Sequence, residues 1–184
     1  MSMIVAEVAD LTFSNRDPST LGELLIGGKK LPPDATALLM QDHAEVKAMF
    51  RQFELEADKG IKAALATKIC VALTVHAQIE EEVFYPAASE ALEDDGIVNE
   101  AIEEHDEMKK RTAEIVQGIA EHKSLDGVVG ELMRIVEHHV QEEETEMFPD
   151  VREVEVDLIE VGRRLAARRV EVLLKMRRDA AAAH

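Results

Sequence analysis

The chain contains its own approximate copy. Residues His76 to Pro86, His-Ala-Gln-Ile-Glu-Glu-Glu-Val-Phe-Tyr-Pro, align without a gap on His139 to Pro149, His-Val-Gln-Glu-Glu-Glu-Thr-Glu-Met-Phe-Pro. A further histidine precedes each copy at nearly the same distance, His43 by 33 residues and His105 by 34. Two such units are expected to form two similar halves that meet face to face about a pseudo-twofold axis. Each half then brings two imidazoles and one carboxylate to the same place.

The halves are helical by composition. Only 3% of the 184 residues are aromatic, Trp is absent, and Ala, Leu, Val, Glu and Lys dominate, a mixture that favours helix over strand. Breakers divide the chain into long helical stretches. The first begins after Pro32-Pro33 with Asp34 as N-cap and ends near Gly60. The second runs from about Ile61 to Tyr85, where Pro86 interrupts the backbone ladder, and an irregular or kinked stretch is expected to continue as far as Gly96. The third covers roughly Ile97 to His122, and the fourth follows the Lys123 to Gly127 turn and ends at Phe148, before Pro149. A fifth, from about Glu153 to Asp179, carries Leu158, Val161, Leu165, Val172 and Met176 among many Arg and is expected to cover one side. Short connections between long helices force antiparallel neighbours. The fold expected is therefore an all-α, up-down-up-down four-helix bundle over 34–150, with an N-terminal arm (1–33) and an extra C-terminal helix (151–184). Within the arm, Asp17-Pro18-Ser19-Thr20 before Leu21 to Ile26 suggests one short capped helix.

Stepping along each apolar stripe by threes and fours meets a polar interruption. The series are Leu39, His43, Val46, Phe50; Ile69, Leu73, His76, Glu80, Val83; Ile102, His105, Met108, Ile115; and Leu132, Ile135, His139, Glu143, Met147. Burying six unpaired imidazoles and carboxylates costs several kcal/mol each, so the groups need one shared compensation. A metal centre supplies it if they lie at one height. His43 and His76 are each about 16 residues from the Lys59-Gly60 turn, and His105 and His139 straddle the next turn almost equally, so at about 1.5 Å per residue they are level.

Within each His-x-x-x-Glu, side chains four apart share one helix face and reach one centre. Imidazoles and carboxylates without thiolate suit iron or manganese, with zinc possible. Glu80 and Glu143 are the natural bridges between two ions. His138 also has a Glu four residues on, Glu142, and competes with His139, although the repeat and the distance to Pro149 favour His139. Glu81, Glu82, Glu142, Glu144 and Glu146 read as a solvated acidic face, with Glu144 placed to hydrogen-bond a ligand. His122 and His184 read as solvated. Ferritin-like di-iron bundles rely on Glu-x-x-His, and no histidine here has Glu three positions before it.

With these residues the chain resembles the hemerythrin HHE cation-binding domain family, whose pattern is His, His-x-x-x-Glu, His, His-x-x-x-Glu on four helices. The likeness runs from about Asp34 to Met176. It includes Asp42-His43, the Phe84-Tyr85-Pro86 and Met147-Phe148-Pro149 endings, and Gly162-Arg-Arg-Leu-Ala-Ala-Arg-Arg. The resemblance implies two non-haem iron ions, or manganese, with a bridging oxo or hydroxo group, ligated by His43, His76, Glu80, His105, His139 and Glu143. It also implies dealings with dioxygen or peroxide, with catalase- or peroxidase-like turnover or with iron or oxygen sensing instead. Oxygen-carrying hemerythrins have His-x-x-x-His on the third helix, whereas here His105 is followed by Lys109, a poor ligand when protonated. Fewer ligands leave more open positions, which favours reaction over carriage. Tyr85 is expected either to reach the centre or to pack beside Pro86, and Lys109 either to be a surface cation or to steer a proton near the site.

The remaining expectations are exclusions. With 38 acidic and 21 basic side chains the formal charge is -17, which repels polyanions and disfavours nucleic acid. No apolar run approaches the roughly 20 residues needed to span a bilayer, so no membrane role is expected. The lone Cys70 sits in an apolar helical pattern as inert packing, and a cytoplasmic setting is expected.

Overall fold

A computed structural model describes residues 34–92 and 96–182. The anticipated short helix in the arm, and His184, lie outside the described residues. The helices are α1 (Ala35–Leu55), α2 (Lys59–Ile79), α3 (Tyr85–Ala91), α4 (Gly96–Ala120), α5 (Asp126–Glu142), α6 (Phe148–Glu153) and α7 (Leu158–Ala181). No strand occurs among the described residues.

Local chemistry sets the ends. Asp34 caps α1 by accepting the Ala37 N–H at 2.9 Å, and Asp58 caps α2 by accepting from Ile61 at 2.9 Å. The first turn therefore closes earlier than Gly60, at Glu56 to Asp58, where the Glu56 carboxylate accepts from the Ala57 and Asp58 N–H groups. α4 ends without a glycine: His122 takes φ 53°. There the Lys123 N–H returns to the Gly118 carbonyl at 2.9 Å and the His122 N–H to Ile119 at 3.1 Å, a Schellman arrangement.

The fourth helix does not stop before Pro149 as expected, and past Pro86 the second takes the helical rather than the irregular course. Both pass through a π-helical turn, Glu80–Phe84 and Glu143–Met147, and continue as α3 and α6. Tyr85 N–H donates to the Glu80 carbonyl and Phe148 N–H to the Glu143 carbonyl, five residues back. Proline lacks an N–H and its ring crowds the preceding turn, and widening that turn accommodates both defects without ending the helix. The same device recurs at the same place in each copy.

α1, α2, α4 and α5 form the four-helix ring, each packed on two neighbours, and α7 lies across α1 and α2. At Gly162 a Cβ would stand 3.0 Å from the Ala35 nitrogen, so α7 approaches the start of α1 at backbone distance. The stretch Lys59–Ala91 is long and apolar enough by composition to cross a membrane, against the sequence expectation. Most of its apolar residues from Ala66 to Ala88, among them Ile69, Leu73, Ile79, Val83 and Phe84, are buried in the bundle. That core has two parts. Leu39, Ile79, Ala101 and Met147 belong to one apolar cluster, and Val46, Leu73, Met108 and Val136 to another. On every helix the polar interruption falls between them.

Candidate metal centre

His43, His76, Glu80, His105, His139 and Glu143 are all buried and occupy that dividing layer. α1, α2, α4 and α5 each contribute one imidazole, and the two π-helical turns begin with the two carboxylates. Each histidine points Nε2 inward: His43 and His76 approach to 3.2 Å at these atoms, and His105 and His139 to 3.3 Å. Glu80 Oε2 lies 3.1 Å from His76 and 3.4 Å from His105. Glu143 Oε2 lies 3.2 Å from His43 and 3.5 Å from His139. Both carboxylates therefore reach both halves. The donor atoms fall into two groups, His43, His76, Glu80 and Glu143, and Glu80, His105 and His139.

The outward nitrogens decide what the inward ones are. Nδ1 of His43 meets Glu144 at 2.9 Å, that of His76 meets Asp42 at 3.3 Å, that of His105 meets Glu81 at 2.9 Å and that of His139 meets Glu104 at 2.9 Å. A carboxylate opposite Nδ1 holds a proton there, so that in the neutral imidazole Nε2 is the lone pair free for a cation. Four Nε2 atoms and two carboxyl groups thus face one another across the layer. Glu80 Oε1 and Oε2 and Glu143 Oε2 are buried without any hydrogen-bond partner. Donors about 2.0–2.2 Å from a common cation stand roughly 3.0–3.5 Å apart, which is the spacing found here. The residues present fit a pair of cations.

The symmetry extends behind the ligands. Asp42 and Glu104 each precede the lone histidine of a half, and each holds the repeat histidine of its own half. Glu81 and Glu144 each follow the repeat glutamate, and each holds the lone histidine of the other half. Sequence reading missed Asp42 and Glu104 and assigned Glu81 to the solvated face, a reading now corrected; for Glu144 it foresaw this hydrogen bond. The missing signal was an acid directly beside four of the six ligands, His43, Glu80, His105 and Glu143.

Without cations the layer is electrostatically divided. Burial raises the Glu80 carboxyl well above the usual range, and its neighbour Glu143 raises it further. Burial would do the same to Glu143, yet His139, His43 and His76 outweigh it and hold it at about 2. Burial lowers His76 to about 4 despite Asp42. For His43 and His139 burial is again the largest influence, but surrounding carboxylates, Glu143 foremost, overcome it and raise both. The two carboxyls are thus driven in opposite directions, among imidazoles of unequal basicity. A bound cation would compete with protons for all of these donors.

Tyr85 reaches the layer. Its hydroxyl donates to Glu143 Oε1 at 2.9 Å and lies 3.3 Å from His105 Nε2, and burial pushes its pKa up, with Glu143 and Glu80 adding to the rise. Its counterpart in the other copy, Phe148, stacks on His43 with ring centroids 5.9 Å apart and offers no hydroxyl. The pseudo-symmetric centre is chemically one-sided. Lys109 is a surface cation, 2.9 Å from Glu81 and 3.0 Å from Asp106. His138 is exposed, which leaves His139 in the layer. Burial pushes the Cys70 thiol up to about 12, as expected of inert packing.

The family model "Hemerythrin HHE cation binding domain" matches residues 34–151. A curated relative, a "DNA nickase" from Nostoc sp. (strain PCC 7120 / SAG 25.82 / UTEX 2576), is 28% identical over 126 residues, 68% of this chain and 36% of that protein. The chain thus spans little more than a third of that relative's length. No solved structure gives a significant match. With the match running through all four ring helices and the whole polar layer, the chain belongs to the hemerythrin HHE cation-binding domain family.

Proposed function

We propose that this protein holds two non-haem iron ions through His43, His76, Glu80, His105, His139 and Glu143, binds dioxygen or peroxide there, and turns peroxide over in a catalase-like reaction. The observation that carries the reading is the set of buried Glu80 and Glu143 oxygens with no hydrogen-bond partner, facing four inward-pointing imidazole Nε2 atoms. Bound iron would supply the redox couple, taking two electrons from one peroxide and passing them to another. The chain holds the ions level, shields them between two apolar clusters, and presents the Tyr85 hydroxyl proton beside His105 and Glu143. Disproportionation of peroxide to water and dioxygen needs no other reductant. The one-sided hydroxyl and the lysine at position 109 support reaction over reversible carriage. Iron-loaded protein should consume hydrogen peroxide and show a charge-transfer absorption that His76→Ala abolishes. Silence in both measurements overturns the reading.

A sensing role is favoured by one contact chain. Arg169 on α7 donates to Asp42, which holds His76, so occupancy of the centre is mechanically linked to the outermost helix. In that case iron changes partner contact through α7 without turnover. The Nostoc similarity raises a nuclease reading, which the charge of -17 opposes. Nicking of supercoiled plasmid by the iron-loaded protein, lost in His76→Ala, would favour it over peroxide chemistry.

A further inference from the structure

We propose that Arg169, acting through Asp42, is a positioning residue that weakens His76 as a metal donor, so that the docking of α7 and the ion held by His43 and His76 oppose each other. The inference rests on the di-metal reading above and gives its α7 contact a sign. The two halves supply the comparison. Asp42 and Glu104 occupy matching places, each one residue before a lone histidine and each behind the repeat histidine of its half. Glu104 lies 2.9 Å from His139 Nδ1, and among the described residues no lysine or arginine pairs with it. Asp42, one methylene shorter, lies 3.3 Å from His76 Nδ1, the longest of the four such contacts. The Asp42 oxygen that faces His76 is also the one to which Arg169 donates.

Glu81 and Glu144 also meet cations, Lys109 at 2.9 Å and Lys47 at 3.9 Å. Those side chains are more open to water, 51% and 34% exposed against 21% for Arg169, and water screens such pairs. Arg169 Nε, by contrast, is buried with no hydrogen-bond partner, so part of the guanidinium is closed to solvent. Its charge acts on the centre in two ways of one sign. It draws on the Asp42 oxygen that would otherwise strengthen His76 Nε2 as a donor, and it sets a poorly screened positive charge behind a place for a cation. That place has donor atoms of His43, His76, Glu80 and Glu143, against Glu80, His105 and His139 at the other, so the charge lowers an affinity rather than abolishing it. Binding free energies are reciprocal: an ion that Arg169 disfavours loosens the contact of Arg169 with Asp42 by the same factor. Loading iron thus relaxes the hold of α7 on α1.

Titration of the whole protein with chelator-buffered iron(II), without oxygen, gives an affinity for each position. Asp42→Asn should weaken one by at least about tenfold and Glu104→Gln the other, which assigns them. Arg169→Met, which keeps an apolar stem over the bundle, should tighten the position that Asp42→Asn weakens by about three- to tenfold, and Arg169→Lys should return it towards wild type. A purely structural role for Arg169 gives the opposite sign, with iron held less tightly once the side chain is cut. Amide exchange in α7 should be faster in loaded than in metal-free wild type, and the same in both forms of Arg169→Met. If Arg169→Met tightens neither position, or if the α7 amides of wild type slow on loading, the inference is overturned and the di-metal reading stands. Wild-type protein that takes up no iron overturns both.

Discussion

Glu80→Gln should make the metal-free protein more stable and the metal-loaded protein impossible. In the metal-free layer both Glu80 oxygens are buried without partners, 3.1 Å from His76 Nε2 and 3.4 Å from His105 Nε2. A neutral amide of the same shape brings N–H donors to those lone pairs and removes a carboxylate from beside Glu143. Relief of one buried, unsatisfied polar group is worth about 1–3 kcal/mol, and at roughly 2–4 °C per kcal/mol for a chain of this size the midpoint should rise by roughly 2–12 °C. The pH dependence follows from the raised Glu80 pKa. A raised acid binds its proton more tightly folded than unfolded, so it penalises the fold only above the unfolded value of 4.5, increasingly until pH passes the folded pKa. The advantage of Glu80→Gln should therefore shrink below that value and grow towards alkaline pH. Loaded wild type should gain about 2.7 kcal/mol per bound ion at metal a hundredfold above Kd, and the variant nothing. Thermal unfolding by far-UV circular dichroism, with chelator and with iron(II) under anaerobic conditions, reads both effects. A metal-free variant that melts below wild type, or one that keeps the full metal-dependent rise, refutes the account of the layer.

Three further outcomes test the frame around the centre. Asp34→Ala should cost about 1 kcal/mol at neutral pH through loss of the α1 cap, measured by urea unfolding. Burial opposes the lowered Asp34 pKa, but the Ala37 and Thr36 hydrogen bonds and Arg152 prevail, so the cap's contribution is full above the unfolded 3.8 and fades as pH falls through the folded pKa. Gly162→Ala should destabilise by about 1–3 kcal/mol, because the new methyl meets the Ala35 backbone at 3.0 Å; an unchanged denaturation midpoint would show that α7 is not held there. His122→Gly should stabilise by about 1 kcal/mol, since φ 53° strains a side-chain-bearing residue, with metal content unaltered.

Much of this was legible in one dimension because its physics is local. Helix formation, the Asp34 cap and the core stripe depend on residues within a turn or two, and polar groups at core spacing on four stripes announce a shared partner wherever the helices pack. The repeat added the level of the layer and preferred His139 over His138. The π-helical turns follow from the two prolines, yet whether a proline ends a helix or widens it depends on packing that continues beyond it.

What tertiary structure alone decided is which of several equivalent acids and bases turns inward. Glu81 holds His105 while Glu82 binds Arg168 at the surface, and Arg169 reaches Asp42 while its neighbour Arg168 does not. Composition treats each pair as alike. Their roles are set by the rotation of one helix against another, because a hydrogen bond between helices is made or lost over about 1 Å, a distance no spacing along the chain encodes. Among the described residues no arginine or lysine stands beside Glu104 as Arg169 stands beside Asp42, for the same reason: α7 lies against α1 and α2, one half of a twofold pair.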